Sequence, residues 1–223
     1  MDFFWSDPDP SAVFAVHTAG ALACWQVGSV DEARAAVDAG CDLLAAQGVE
    51  AGGHIRGHQS CADLLDAVLA AVDLPVLAAG GVVAADQVTA LLDRGAAGVR
   101  VGTSFVATHE SGAHPRYKAA LVEAGRDATI ISDAFASCPL CATSPRARVL
   151  RSAVRARTAL REDVAGTRDD GARTTPVALG SGAPPDSRTA GRIDAMALYA
   201  GEGAAVLTRL RSAAEALAEL TPR

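Results

Sequence analysis

Three short segments of this chain carry residues that could do chemistry, and glycine accompanies each. The first is Gln47-Gly-Val-Glu-Ala-Gly-Gly-His54. A neutral imidazole at His54 can take or give a proton near pH 7. Gly52 and Gly53 just before it let the backbone approach a partner closely. A lone histidine in a loop usually does no more than hydrogen-bond its neighbours; the glycine pair favours a functional reading. The second segment is Ala78-Ala-Gly80-Gly81-Val82 and the third is Arg100-Val101-Gly102-Thr103. Each offers glycine and backbone N–H groups, the makings of an anion nest, and Thr103 adds a hydroxyl. Two ordinary glycine turns are the plain alternative. Their occurrence behind two successive apolar runs favours the nest.

Weaker signals are read as structural. Cys138-Pro-Leu-Cys141 has zinc or redox spacing, but a structural zinc needs four ligands and no second pair is visible. The two cysteines are read as incidental. His54 and His58 are four apart, yet Gly57 between them argues against a helix presenting both to one metal. Glu50 reads as a solvated loop carboxylate, and Trp5 and Trp25 as packing residues.

The elements that must position these segments follow one grammar. Apolar runs at 2–5, 21–26, 41–46, 75–79 and 98–101 are bounded by Gly, Pro, Ser or Asp, as buried strands are. Helical stretches are expected near 10–19, 30–40, 60–72, 84–94 and 114–125. Ser29 and Asp31 stand where an N-cap belongs, and Gly40 where a helix ends. Strand–helix alternation means a parallel α/β sheet, doubly wound or closed into a barrel. The three chemical segments follow the third, fourth and fifth runs, at the ligand-binding end of such a sheet. Five units fall short of the eight in a closed (β/α)8 barrel.

Domain organisation is expected as follows. Residues 1–125 form the five βα units. Residues 126–192 form a helical insertion, with a helix beginning near Ala147, and a Gly/Pro-rich, lid-like loop over 166–191. Residues 193–223 form docking helices of the same domain, at 193–199 and 204–220, the latter with Leu207, Leu210, Ala214, Leu217 and Leu220 on one face.

Composition narrows the function classes. Of 223 residues, 50% are hydrophobic and 21% charged, so a core can form. The net charge of −6 argues against a nucleic-acid binder. No run of about 18 apolar residues predicts a membrane span. The opening MDFFWSDPDP lacks the basic and apolar regions of a signal peptide. Five scattered cysteines fit a reducing compartment, and a cytoplasmic location is expected.

AQGVEAGGH (46–54), PVLAAGGV (75–82), GVRVGTSF (98–105) and MALYAGEG (196–203) resemble the nitronate monooxygenases, formerly called 2-nitropropane dioxygenases. FFWSDP (3–8), ATHESGAHPRYKAAL (107–121) and RARVLR (146–151) resemble further segments of that family, so the resemblance covers essentially the whole chain. It implies a TIM-type (β/α)8 barrel that binds FMN and oxidises alkyl nitronates with O2 to a carbonyl compound and nitrite. By position, His54 would be catalytic. Gln47 and Gly52 would contact the flavin, and Gly80, Gly81, Arg100, Val101, Gly102 and Thr103 would hold its phosphate and ribityl chain. Partners would be the small-molecule nitronate and O2, with no nucleic acid and no membrane.

The sequence also departs from the family. Family members carry about three more βα units before the FFW strand, so the chain reads as an N-terminally truncated member, a gene fragment or a misplaced start codon. An open barrel edge would then favour self-association. Position 100, usually Gln, is Arg here, and position 104, usually Arg, is Ser. The alternatives are a nicotinamide-dependent flavin barrel reductase of enoyl-thioester type and a non-catalytic barrel remnant. A metal hydrolase built on His54, His58, Cys138 and Cys141 ranks last.

Overall fold

The structure, a computed structural model, describes residues 1–4, 6–137 and 145–222. Trp5, Cys138 and Cys141 lie outside the described residues. In chain order the elements begin with β1 (Asp2–Phe3), α1 (Pro10–Thr18), β2 (Cys24–Val27), α2 (Val30–Asp38), β3 (Leu43–Gln47), β4 (Gly53–His54), α3 (Cys61–Leu69), β5 (Val76–Ala79), α4 (Ala85–Asp93), β6 (Gly98–Arg100) and α5 (Thr103–Val106). They continue with α6 (Pro115–Val122), β7 (Thr129–Ser132), β8 (Ala147–Leu150), α7 (Arg151–Ala159), β9 (Val164–Asp169), β10 (Thr174–Ala178), β11 (Thr189–Gly191) and α8 (Ala213–Leu220). The chain divides into two compact units. One comprises Met1–Ala51, Ile55–Val101 and Leu220–Arg223; the other comprises Gly52–His54 and Gly102–Glu219.

The first unit is a parallel sheet in the order β1-β2-β3-β5-β6. Its strands are the five apolar runs of the sequence. Helices α2, α3 and α4 each bury one stripe, with Ala33 and Ala36, Leu64, Leu65 and Val68, and Val88 and Leu91. Each large aliphatic side chain buried this way contributes about 1.5–3 kcal/mol. Ser29 caps α2, its hydroxyl accepting the Glu32 N–H at 3.2 Å; Ser60 caps α3 on the Asp63 N–H at 3.1 Å.

Two arginines pull this unit together. The Arg56 side chain is 6% exposed. It donates to the Phe4 carbonyl at 2.7 Å and to the Glu32 carboxylate at 2.9 and 3.0 Å. Arg100 on end strand β6 donates to Gln26 Oε1 on β2 at 2.8 Å and pairs with Asp2 on β1, the opposite end strand. The sheet therefore curls far enough for its two end strands to meet through one side chain, the curvature a barrel wall requires.

The second unit holds two small antiparallel sheets, β4-β8-β7 and β10-β9-β11. Its core is built around Tyr117, Leu121, Phe135, Val149, Leu150, Ile193, Met196, Leu198 and Leu207. Three sequence expectations are corrected here. The helix expected from Ala147 begins at Arg151, because residues 147–150 all pair with β7, Ala147 and Arg148 pair with β4 as well, and all four are buried. Of the stretch 166–191 expected as a lid-like loop, residues 166–169, 174–178 and 189–191 are strands of the sheet β10-β9-β11. Its Gly, Asp and Ser residues make turns rather than an irregular loop: Asp170 Oδ1 accepts the N–H groups of Ala172 and Arg173 at the β9–β10 bend. Pro176 lies in β10, an end strand, where a missing donor is tolerated.

The third correction concerns 193–199 and 204–220. These hold 3-10 turns at Ile193–Ala195 and Glu202–Val206, and the only α-helix described there is α8. The run 196–200 instead lies extended along β8, with Leu150 N–H donating to Leu198 O at 2.8 Å. In α8 the inward residues are Ala216 and Leu220; Leu217 is 59% exposed. Among the described residues no helix is long and apolar enough to cross a membrane.

Candidate functional site

In the first unit, two predicted site positions, Gln47 and Arg100, and the Ala79 that precedes the Gly80–Gly81 pair end neighbouring strands on one rung. Gln47 pairs with Ala79, and Ala79 pairs with Arg100. The loops that follow therefore leave the same edge of the sheet, the C-terminal edge where parallel α/β sheets bind ligands. Behind Ala79, Gly80 has φ +129° and Gly81 has φ +72°. A side chain at Gly80 would put its Cβ 3.1 Å from the Ala51 nitrogen and 3.3 Å from the Gly48 carbonyl oxygen. Both the conformation and the close approach require glycine. Among the described residues, the N–H groups of Gly80 and Gly81 donate to no protein acceptor. Successive donors in this geometry suit an anion.

The side chains around them have structural duties. Gln47 is buried, and its Oε1 accepts the Arg56 N–H at 3.3 Å. Arg100 spends its guanidinium on Asp2 and Gln26, so at position 100 only the backbone remains for a ligand. Glu50, read as a solvated carboxylate, is half-buried and accepts the Cys61 N–H at 3.0 Å. Burial pushes the Cys24 and Cys61 thiols up to about 11, which keeps both protonated and unreactive.

In the second unit, His54 sits on β4 rather than in a loop, and its backbone pairs with Ala147 of β8. It is 7% exposed, and burial holds its imidazole below the ordinary histidine range. The ring lies 5.4 Å from that of Tyr199, tilted by 53°. Gly52 has a packing reason to be glycine: a Cβ there would lie 2.5 Å from the Gly201 nitrogen and 2.7 Å from the Ala200 carbonyl carbon. Thr103 Oγ1 accepts the same Gly201 N–H at 2.9 Å, leaving its hydroxyl proton free to donate.

Gly52, Gly53, Gly102 and Thr103 line a cleft of about 660 Å³, together with Val106, Tyr117, Tyr199 and the 184–188 segment. A Cβ at Gly102 would meet nothing within 4 Å, so the space beside it is open to a ligand. The Arg168–Asp186 pair, 2.7 Å apart, closes the rim. The structure thus places Gln47, Gly80, Gly81, Arg100 and Val101 in the first unit, and Gly52, His54, Gly102 and Thr103 in the second.

Sequence reasoning did not single out Tyr117, Tyr199 or Arg168. A hydroxyl-bearing Tyr199 inside the apolar run 196–200 was the available signal. Tyr117 and Arg168 are joined to the cleft only by folding.

Residues 2–223 match the family model described as nitronate monooxygenase. Among curated relatives, the "probable nitronate monooxygenase" of Bacillus subtilis (strain 168) is 36% identical over 142 residues, 60% of this chain and 41% of that protein. The protein of the same name from Staphylococcus haemolyticus is 39% identical over 118 residues, 48% of this chain and 33% of that protein. The aligned region thus spans 33–41% of the length of these relatives. Among solved structures, the nitroalkane oxidase from Streptomyces ansochromogenes superposes with TM-score 0.73 at 32% identity, covering 98% of this chain and 62% of that one. FabK from Thermotoga maritima gives TM-score 0.72 at 25% identity, covering 98% and 65%. The fold is accordingly the α/β fold of TIM-type barrels, with five parallel strands of it among the described residues.

Proposed function

Because this chain belongs to the nitronate monooxygenase family, we propose that it binds FMN and serves the oxidation of alkyl nitronates by O2, yielding a carbonyl compound and nitrite. The observation that carries this reading is the common rung of Gln47, Ala79 and Arg100, with the uncommitted Gly80 and Gly81 donors directly behind it. That edge fits a phosphate-bearing cofactor: it offers backbone donors, needs no side-chain cation, and has glycine where a Cβ would close it.

In the first unit, Gly80 and Gly81 would hold the FMN phosphate through their N–H groups, joined by the backbone of Arg100 and Val101, and Gln47 would contact the flavin. When bound, FMN supplies the oxidation of the nitronate and the reaction with O2. An imidazole nitrogen of His54 takes the proton of a neutral nitroalkane and orients a substrate that arrives as the anion. Burial suits His54 to that task by keeping it neutral near pH 7. The cleft beside Gly53 and Tyr199, mostly apolar, would exclude water from an alkyl substrate.

The test is a titration of the 223-residue chain with FMN, followed by gel filtration and a visible spectrum. Flavin bands that co-elute with protein, and that bleach when a nitronate is added without oxygen, support the reading. Bleaching by NADH or NADPH but not by a nitronate would favour a reductase. Failure to retain flavin at any concentration overturns the assignment for this chain.

A further inference from the structure

Besides the cleft at Gly53, the second unit holds another cavity, of about 440 Å³, at the turn that leads into β7. Arg126, Arg148 and Arg151 line it, with Asp127, Glu202 and Val206. Arg148 pairs with Glu202 at 3.0 Å and donates to Thr129 Oγ1 at 3.2 Å. Arg151 is held differently. Its Nε donates to the Asp127 carbonyl at 3.3 Å and its Nη2 to the Thr129 carbonyl at 3.2 Å. Its own N–H donates to the Ala128 carbonyl at 2.7 Å. Carbonyl oxygens fix this edge of the guanidinium without neutralising its charge, and the Nη1 donors remain for a ligand. Asp127 presents its carbonyl from φ +57°, the one left-handed conformation among the described non-glycine residues. Arg126 is exposed, and its side chain makes no hydrogen bond or ion pair among the described residues.

We propose that this cavity binds a small phosphomonoester, its phosphate held between Arg126 and Arg151, at a site in the other unit from the Gly80–Gly81 edge. With Arg148 and Glu202 paired, Arg126 and Arg151 meet one further carboxylate in the lining, Asp127. The cavity therefore keeps one positive charge in excess, in a chain whose net charge is −6. Such a local reversal of sign draws an anion. Two guanidinium groups, one from the turn and one from the start of α7, suit an anion with three acceptor oxygens better than a carboxylate with two. Ala205 and Val206, the latter 62% exposed, supply the apolar wall that the carbon body of an ester would cover. The cavity volume falls within the range of small-molecule sites.

The experiment is equilibrium dialysis of the full 223-residue chain against phenyl phosphate, without flavin. Saturable binding is expected at millimolar concentrations or below, and its absence overturns the proposal. Arg126→Ser and Arg151→Gln are each expected to weaken binding by at least about tenfold, the loss of a charge-assisted hydrogen bond. Arg34→Ser, which removes an exposed arginine of α2 in the first unit, should leave it unchanged. Arg151 also ties down the 127–129 backbone, so Arg151→Gln tests folding as well as binding. If that variant does not fold, Arg126→Ser decides alone, because no described residue depends on the Arg126 side chain. Undiminished binding in Arg126→Ser overturns the proposal and places the phosphate elsewhere, the Gly80–Gly81 edge included. An equal loss in Arg34→Ser also overturns it, because net charge rather than a site would then be at work. No readout involves flavin or nitronate, so the failure of FMN binding and the failure of this proposal are separate results.

Discussion

His54 is a buried base whose surroundings favour its neutral form. A general base of this kind contributes on the order of 10²–10⁴ in rate. His54→Gln is therefore expected to retain FMN while turnover of neutral nitroalkanes falls by at least about 100-fold. Pre-ionised nitronates should be much less affected, because their proton is already gone. Equal losses on both substrate forms would remove His54 as a base. The same burial predicts a pH effect on stability. The folded chain holds His54 below its ordinary value near 6.5, so as pH falls the unfolded chain takes up this proton first. That contribution is absent above the ordinary histidine range and destabilises progressively below it. Urea midpoints of the unsubstituted chain should thus drop more steeply between about pH 7 and 5 than those of His54→Gln. Parallel curves would show that the imidazole is not held neutral.

Between elements, close backbone contacts at glycine and the arginine links join segments far apart in sequence. Gly52 lies so close to the Ala200–Gly201 backbone that an added Cβ has no flexible side chain to displace. Gly52→Ala is expected to cost about 1–3 kcal/mol, read as a lower denaturant midpoint with unchanged slope. Arg100 is a different case. Its pair with Asp2 joins the two end strands of the curled sheet, but both side chains are 42% exposed, so solvent screens the interaction. Arg100→Gln should cost less than about 1 kcal/mol. It should leave FMN affinity unchanged, since only the backbone of position 100 is offered to the ligand. A tenfold loss of FMN affinity in that variant would mean that the guanidinium, not the backbone, meets the phosphate.

For the molecule as a whole, the five-stranded sheet ends in β1 and β6. Beside β1, Met1 is 68% exposed and Leu22 is 64% exposed, and the two are joined by a hydrogen bond from the Met1 amine to the Leu22 carbonyl. Phe14 on α1 is 73% exposed. End strands flanked by exposed apolar side chains are templates for pairing with another copy. Sedimentation velocity of the 223-residue chain is expected to show association that grows with concentration. Introducing a charge at Leu22, as in Leu22→Lys, should weaken it. A monomer at all concentrations would show that this edge is not sticky.

The sequence by itself determined the alternation of apolar run and helix over the first hundred residues, because period and punctuation there are local properties. Ser29 as a cap and the five strands of the parallel sheet follow from that pattern. It also located Gly80, Gly81 and His54 as candidates, because glycine pairs directly behind apolar runs are visible without a fold. Tertiary structure alone decided what the candidates do. Gln47, Ala79 and Arg100 share a rung only through strand register, and the Arg100 side chain is spent on strands far away in sequence. Gly52 answers to the backbone at 200–201, and residues 147–150 are strand rather than helix because two partners pair with them. Residues 164–169, 174–178 and 189–191 pair as a sheet although the composition of the stretch is that of a loop, because ladder hydrogen bonds between separate segments outweigh weak local preferences. Tyr199 gains its place beside His54 by the same route: 145 positions apart in the chain, the two are brought together by their shared pairing to β8.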